Sequence, residues 1–489
     1  MNVYSVGLMR TLTRRGLLAS TSLLSSAGAA PKRLIGVTMM PEFIQNEGID
    51  GVLRNLVERA GVNAVTTSPY VMELADERTG SREPPIDADA GKVRLLDRPL
   101  WGKRELFVRT ASSFAHNFKL FEGLRYQPAQ ATELTRKHGN LIKDFIREAQ
   151  RRKVKVYFQV QAAIPPGYRV QFGGPKPEDA PRLPDGRIPP RRLANNGSLG
   201  SVEVQRYLSA LIRDIFKNYP EIDGLRVDWP EYPPYFLDDL FLDFSGHAEW
   251  AASRAGLDFM GARANASEWY QRLHGKLTNA NVEKEIEAFG KLRGGEWGKL
   301  KQVMCSTLLK TARAAVDQAG GKDKELIPNA FPPPFNEWSG FTPPIARASG
   351  CNGASVKFYT MHWPMILRFY SEALLKANVG LDERKLVPAL SRWLQISDDD
   401  RYRTLADCRY PEPAEPHAPC QRRIAEKLRA VALKSNDFTV YGLAHGYGPV
   451  NDFATRLRTV HEATQGKLWI NRYGYLSDAK LERIREVCL

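Results

Sequence analysis

The sequence predicts an α/β fold of the (β/α)8 TIM-barrel class, with long loop and helical insertions. Three observations carry this. Eight short runs rich in β-branched and aromatic residues recur along the chain, each followed by a segment of helical periodicity. Met39-Met40-Pro41-Glu42, after the first run, lacks the glycine-rich turn that an open doubly wound sheet would place there. The 489 residues are long for one domain, but α/β barrels routinely reach such sizes as a single unit.

The elements follow in order. Thr13-Arg14-Arg15-Gly16-Leu17-Leu18-Ala19 is a twin-arginine pair entering a short apolar run, which reaches the small-residue site Ala27-Gly28-Ala29. Residues 1–30 are therefore expected to be an export signal and 31–489 the barrel. Such a route implies folding before translocation and a periplasmic or extracellular destination. Leu34–Thr38 reads as the first strand, Ile49–Ala60 as a helix and Asn63–Thr67 as the second strand. A polar, Pro- and Asp-containing segment over about 74–130 interrupts. The helix Thr132–Arg151 then leads to the third strand, Val154–Val160. A Pro-, Gly- and Arg-rich loop covers 164–198. The helix at 201–217 shows a periodic face of Val204, Tyr207, Leu208, Leu211, Ile212 and Ile215, and precedes the fourth strand, Ile222–Asp228. A mostly helical stretch over 236–318 precedes the fifth strand, Glu325–Ala330, and the sixth, Ala354–Tyr359. Helices at 364–395 and 421–434 lead to the seventh strand, Phe438–Leu443. A helix from Asp452 to Thr464 leads to the eighth, Lys467–Asn471. Ser477 is placed to cap the last helix, which runs to Val487.

Composition narrows the classes. A chain 43% hydrophobic and 26% charged is an ordinary globular one. The net charge of +15 is scattered, with no arginine-rich arm and no zinc-finger spacing, so nucleic acid is not the expected partner. Beyond the signal, no stretch approaches about 18 uninterrupted apolar residues, and no transmembrane segment is expected in the mature protein. The five cysteines include no CxxC and no paired His. Cys408 and Cys420 bracket a Pro-rich loop and read either as a disulfide, which an oxidising compartment permits, or as two buried thiols.

Barrel sites gather at the C-terminal ends of strands. Here those ends hold Glu42, Gln159 and Gln161, then Asp228-Trp229-Pro230-Glu231-Tyr232, then Asn329 and Asn336-Glu337-Trp338. Lys357, Tyr359, His362 and Trp363 follow the sixth strand, His445 and Tyr447 the seventh, and Asn471, Arg472 and Tyr473 the eighth. This is a cup of carboxylates, amides and aromatics. Flat rings bind sugar faces, amides and His reach hydroxyls, and a glycosidic bond is usually cut by two carboxyl groups. Strand alternation points Arg226 and Asp228 the same way, and a guanidinium there favours the ionised carboxylate that a nucleophile requires.

The string Asp223-Gly224-Leu225-Arg226-Val227-Asp228 resembles the fourth-strand segment of the α-amylase superfamily. With the Tyr232-Pro233 turn after it, it also resembles the glycosyl-hydrolase-like barrels of bacterial envelopes. The likeness follows barrel order over about 33–489, with few specific residues. It implies Asp228 as nucleophile, Arg226 as its partner and a Glu after the fifth strand as acid, a position Glu337 approaches. Asp452 could echo that family's third carboxylate or cap its own helix. Two departures argue against α-glucan amylase activity. Tyr232 stands where that family has His, and Gln159-Val160-Gln161-Ala162 replaces its Asn-His pair.

The expectation is an exported glycoside hydrolase acting on an oligo- or polysaccharide, with no organic cofactor and no metal. Asp228 is the nucleophile, Glu337 the first choice of acid and Glu231 the second. Arg226, Trp229, Tyr232, Asn329, Lys357, His362, Trp363, His445, Asn471 and Tyr473 are expected to contact substrate. The alternatives are a barrel that binds carbohydrate without cleaving it and an exported barrel hydrolase of non-sugar chemistry.

Overall fold

The computed structural model describes residues 33–167, 173–435 and 437–489. The expected signal lies outside the described residues. Residues 33–489 form one compact unit.

Eleven strands are present among the described residues: β1 (Leu34–Thr38), β2 (Ala64–Thr67), β3 (Tyr70–Ala75), β4 (Ser81–Glu83), β5 (Leu106–Ser112), β6 (Lys155–Gln161), β7 (Gly224–Asp228), β8 (Glu325–Ala330), β9 (Gly353–Phe358), β10 (Thr439–His445) and β11 (Lys467–Asn471). Eight of them close a parallel barrel in the order β1-β11-β10-β9-β8-β7-β6-β2. These are the eight runs read from the sequence, within two residues at each end. The chain is a (β/α)8 barrel.

Alternation sorts each strand into an inward and an outward set. The floor of the barrel is a cluster of inward residues, among them Tyr157, Ile327, Tyr441, Leu443 and Trp469. Trp469 is large enough to impose a glycine on its neighbour: a Cβ at Gly36 would lie 2.1 Å from its ring. One layer higher, Arg226 fills the centre.

Polar side chains set several helix starts. Thr132 accepts the Thr135 backbone N–H and opens the helix Glu133–Arg151. Ser201 accepts from Val204 and opens Val202–Asn218. Ser477 accepts from Lys480 and caps Asp478–Cys488, as expected. Asp452 is not a cap. Pro449 holds that position, and Asp452 sits in the first turn of Val450–Thr464, accepting from Arg456 Nε at 2.9 Å. The helix expected from Ile49 begins earlier, at Pro41, whose fixed φ suits a first turn, and it is broken at Gly48, where φ is +73°.

The segment read as a polar interruption carries structure of its own. β3, β4 and β5 form an antiparallel sheet, order β3-β5-β4, inserted between β2 and its helix. A chain leaving the C-terminal end of a barrel strand emerges at the mouth, so this insertion belongs to the active-site end. All five cysteines are buried free thiols, which settles the Cys408–Cys420 alternatives toward thiols. No helix among the described residues is long and apolar enough to cross a membrane.

Candidate active site

The barrel mouth encloses a cavity of about 230 Å³. Gln159 and Gln161 reach it from β6, Asp228 and Trp229 from the end of β7, and Asn471 from β11. Tyr235 and Tyr359 add rings from the loops that follow, and His362 adds one from the first turn of the helix His362–Ala377. Asp87 and Arg94 come from the inserted segment.

Asp228 is bound asymmetrically. Its Oδ1 lies 2.7 Å from Lys357 Nζ and accepts from Asn329 Nδ2 at 3.3 Å and from the Trp229 backbone N–H at 3.2 Å. No hydrogen bond reaches Oδ2 among the described residues, and the side chain keeps 14% of its surface exposed. The next residue, Trp229, has φ +52°, a left-handed conformation that costs a non-glycine residue roughly 1–2 kcal/mol. Such strain is stored characteristically at functional sites. The strained residue is also the one whose backbone amide donates to the Asp228 carboxylate.

Arg226 points inward as alternation requires, but Asp228 is not its direct partner. It is fully buried, donating to Thr38 Oγ1 and Thr66 Oγ1 at 3.3 Å each, to Asn329 Oδ1 at 2.7 Å and to Ser355 Oγ at 3.0 Å. Its guanidinium lies 4.1 Å from the centre of a Trp469 ring. Burial lowers its pKa to about 10. The link to Asp228 runs through Asn329, whose oxygen faces Arg226 and whose amide nitrogen faces Asp228. Arg226 therefore positions rather than touches a ligand.

Glu231 follows on the turn and is fully buried. Burial pushes its pKa up to about 7, against the attraction of Lys357 and a hydrogen bond from Ser339 Oγ. The charge of Asp228 adds to the rise. Two carboxyl groups three residues apart thus occupy unlike settings around one lysine.

Glu337 is placed elsewhere. It lies on the short helix Phe335–Ser339, with Arg293 NH1 at 3.9 Å and Lys434 Nζ at 3.8 Å, and does not line the cavity. The Pro332–Pro334 detour carries it past the mouth. Tyr232 is buried, its hydroxyl donating to Asp243 at 2.8 Å and accepting from the Leu199 amide at 2.9 Å. Tyr473 donates to Glu47 at 2.7 Å and packs edge-on against Phe43. Trp363 is core. His445 is buried beside Tyr359, with burial holding its pKa well below the ordinary value, and its Nδ1 accepts from the Tyr447 amide at 3.1 Å. Of the expected contacts, Trp229, His362 and Asn471 line the cavity, while Lys357 and Asn329 stand behind Asp228.

Asp87 and Arg94 line the cavity without any local sequence pattern that marks them. Asp87 Oδ2 lies 2.9 Å from Arg94 NH1 and 3.2 Å from His362 Nε2. Burial pushes the Asp87 carboxyl up, and Arg94 and His362 more than offset it, leaving the pKa below the ordinary value. Arg472, also on the wall, pairs with buried Glu83. The available signal was topological: any insertion between the second strand and its helix must lie at the mouth. No group of three or more His, Cys, Asp or Glu able to hold a metal occurs among the described residues.

Fold and site together define a (β/α)8 barrel with a carboxylate-bearing, aromatic-walled pocket at its mouth. No protein-family model matches the chain, and no curated protein sequence does. Solved structures with a similar course include the catalytic domain of a β-amylase from Paenibacillus polymyxa, at 9% identity and TM-score 0.48, over 93% of this chain and 97% of that one. The C-terminal domain of a chitinase-like protein from Desulfitobacterium hafniense follows at 8% and 0.40, over 93% and 98%. A chitinase from Chromobacterium violaceum follows at 9% and 0.35, over 93% and 98%. At such identities and scores the likeness adds nothing about chemistry, and the barrel rests on its own closed strand order.

Proposed function

We propose that the chain is a glycoside hydrolase whose nucleophile or charge-stabilising group is Asp228 and whose acid is Glu231. The observation that carries this is the contrast between the two carboxyl groups. Asp228 has one oxygen held by an ion pair to Lys357 and two hydrogen bonds, and the other without a hydrogen bond among the described residues. Glu231, three residues on, keeps its proton to near neutral pH. Unlike settings for neighbouring carboxyl groups are how one site supplies both an ionised and a protonated member. Trp229, Tyr235 and Tyr359 offer ring faces, and Gln159, Gln161 and Asn471 offer donors and acceptors for hydroxyls. Export by the Arg14-Arg15 signal makes the substrate one met outside the cytoplasm.

A second reading has its own observation: Glu231 has no exposed surface, as expected of a barrel that binds sugar without cleaving it. Hydrolysis of an aryl-glycoside and polysaccharide panel separates the two. Asp228→Asn keeps the shape and removes the charge. It should cut kcat by at least about a hundredfold, the scale of losing one stabilising group in a transition state, while Glu337→Gln leaves turnover unchanged. Wild-type binding without turnover would favour the second reading. Near-normal turnover in Asp228→Asn would refute the assignment of the nucleophile.

A further inference from the structure

The chain carries a net charge of +15, which by itself suggests an acidic ligand. The cavity does not share that excess. Arg94 is 2.9 Å from Asp87, Lys357 is 2.7 Å from Asp228, and Arg472 is bound to Glu83. Every Lys or Arg at this wall, among the described residues, is already held by a carboxylate. The other polar groups facing the space include the neutral amides of Gln159, Gln161 and Asn471 and the phenols of Tyr235 and Tyr359. Burial drives the pKa of both phenols well above the ordinary value, so they remain neutral donors.

A ligand carboxylate or phosphate would enter a low-dielectric pocket facing Asp87 and Asp228, with no uncommitted cation to receive it. That desolvation is costly when unpaired. Neutral hydroxyls suit the same wall. They can donate to Asp228 Oδ2 and exchange hydrogen bonds with the amides. The volume of about 230 Å³ falls below the roughly 300–1,000 Å³ of sites for drug-sized ligands. One ring fits better than a chain of them.

We propose that the pocket takes a single uncharged sugar ring, and that Asp87 sets this preference by occupying Arg94 and His362. The proposal rests on the glycosidase reading and names the substrate class for its site. Asp87 is a specificity-determining residue, supplied by the inserted segment rather than by the barrel.

The test is a set of matched ligands differing only in charge. Methyl glucoside, galactoside and mannoside are compared with the methyl uronides of the same rings, by titration calorimetry and by ligand-observed NMR, on the wild-type protein. A neutral member should bind about tenfold or more tighter than its uronide, with affinity insensitive to salt. A uronide binding as tightly or tighter, and weakening with salt, would overturn the proposal while leaving the glycosidase reading standing on its own hydrolysis assay. If no ring of either kind binds and no glycoside is cleaved, both fall. Asp87→Asn adds a second arm. It releases Arg94, so the preference should move toward the uronide by about tenfold. An unchanged preference in a variant with wild-type circular dichroism would overturn the role of Asp87.

Discussion

Replacing Glu231 by Gln should stabilise the protein by an amount that grows from about pH 4.5 to about 7 and is constant above that. The Gln side chain keeps the volume and can still accept the Ser339 hydroxyl, so the change isolates ionisation. In the unfolded chain this glutamate titrates at an ordinary value of 4.5, and in the folded chain at about 7. The raised folded value fixes the sign. Below about pH 4.5 both states carry the proton and the full stability is present. Between about 4.5 and 7 the unfolded state loses its proton first, and the wild type loses stability. Above about 7 both are ionised and the loss is complete. At about 1.4 kcal/mol per pH unit, the interval amounts to roughly 3 kcal/mol, an order-of-magnitude figure for a fully buried group. The assay is urea unfolding of both proteins between pH 4 and 8, read as the difference between them, because the shared titrating groups cancel in that difference. The variant should gain on the wild type by about 1.4 kcal/mol per pH unit through the middle of the range and then level off. A difference flat across the range would show that Glu231 titrates alike in both states, and the acid assignment would go with it.

Two further outcomes follow. Gly36→Ala places a methyl group 2.1 Å from the Trp469 ring at the barrel floor. It should cost at least about 1–3 kcal/mol of stability, seen as a lowered melting temperature, and the doubly changed Gly36→Ala/Trp469→Leu should recover part of that loss. The twin-arginine reading predicts that protein from its native host lacks about 29 N-terminal residues by intact mass. A chain that retains Met1 would refute export.

The barrel was legible because each of its strands is a compact β-branched or aromatic run followed by helical periodicity. Glu325–Ala330 and Lys467–Asn471 were read with the bounds they have in the fold. Asp228 was legible for a related reason: it ends a strand, and alternation settles which way it points. Its partner was not. Residues two apart on one strand are separated by roughly 6–7 Å along it. Arg226 and Asp228 therefore occupy different layers, and Arg226 finds the hydroxyls and amide of its own layer. Lys357 reaches Asp228 from β9, two strands away around the barrel, a pairing that only the closed strand order reveals. Asp87 and Arg94 were harder still. They lie in irregular chain beyond β4, with no periodicity to place them, and they meet His362 only once that segment reaches the mouth.

The layers of the barrel account for the way Asp228 is held. Trp469 supports the Arg226 guanidinium from below. Thr38, Thr66 and Ser355 fix it from the sides, so it has little freedom to follow a moving charge. Arg226 in turn orients Asn329, which must turn its oxygen down and its nitrogen up toward Asp228. With the Trp229 amide and the Lys357 ion pair, this places every partner of the carboxylate among the described residues on Oδ1. A purely structural carboxylate would be expected to distribute its donors over both oxygens and to lie in the core. One oxygen held by a buried scaffold, and the other directed to the cavity, is the preorganisation that the role proposed for Asp228 requires. The buried cation thus contributes through the rigidity of the amide between it and the carboxylate. Arg226→Lys, which keeps the charge and abandons the planar fork, should therefore disturb Asp228 far more than its conservative chemistry suggests.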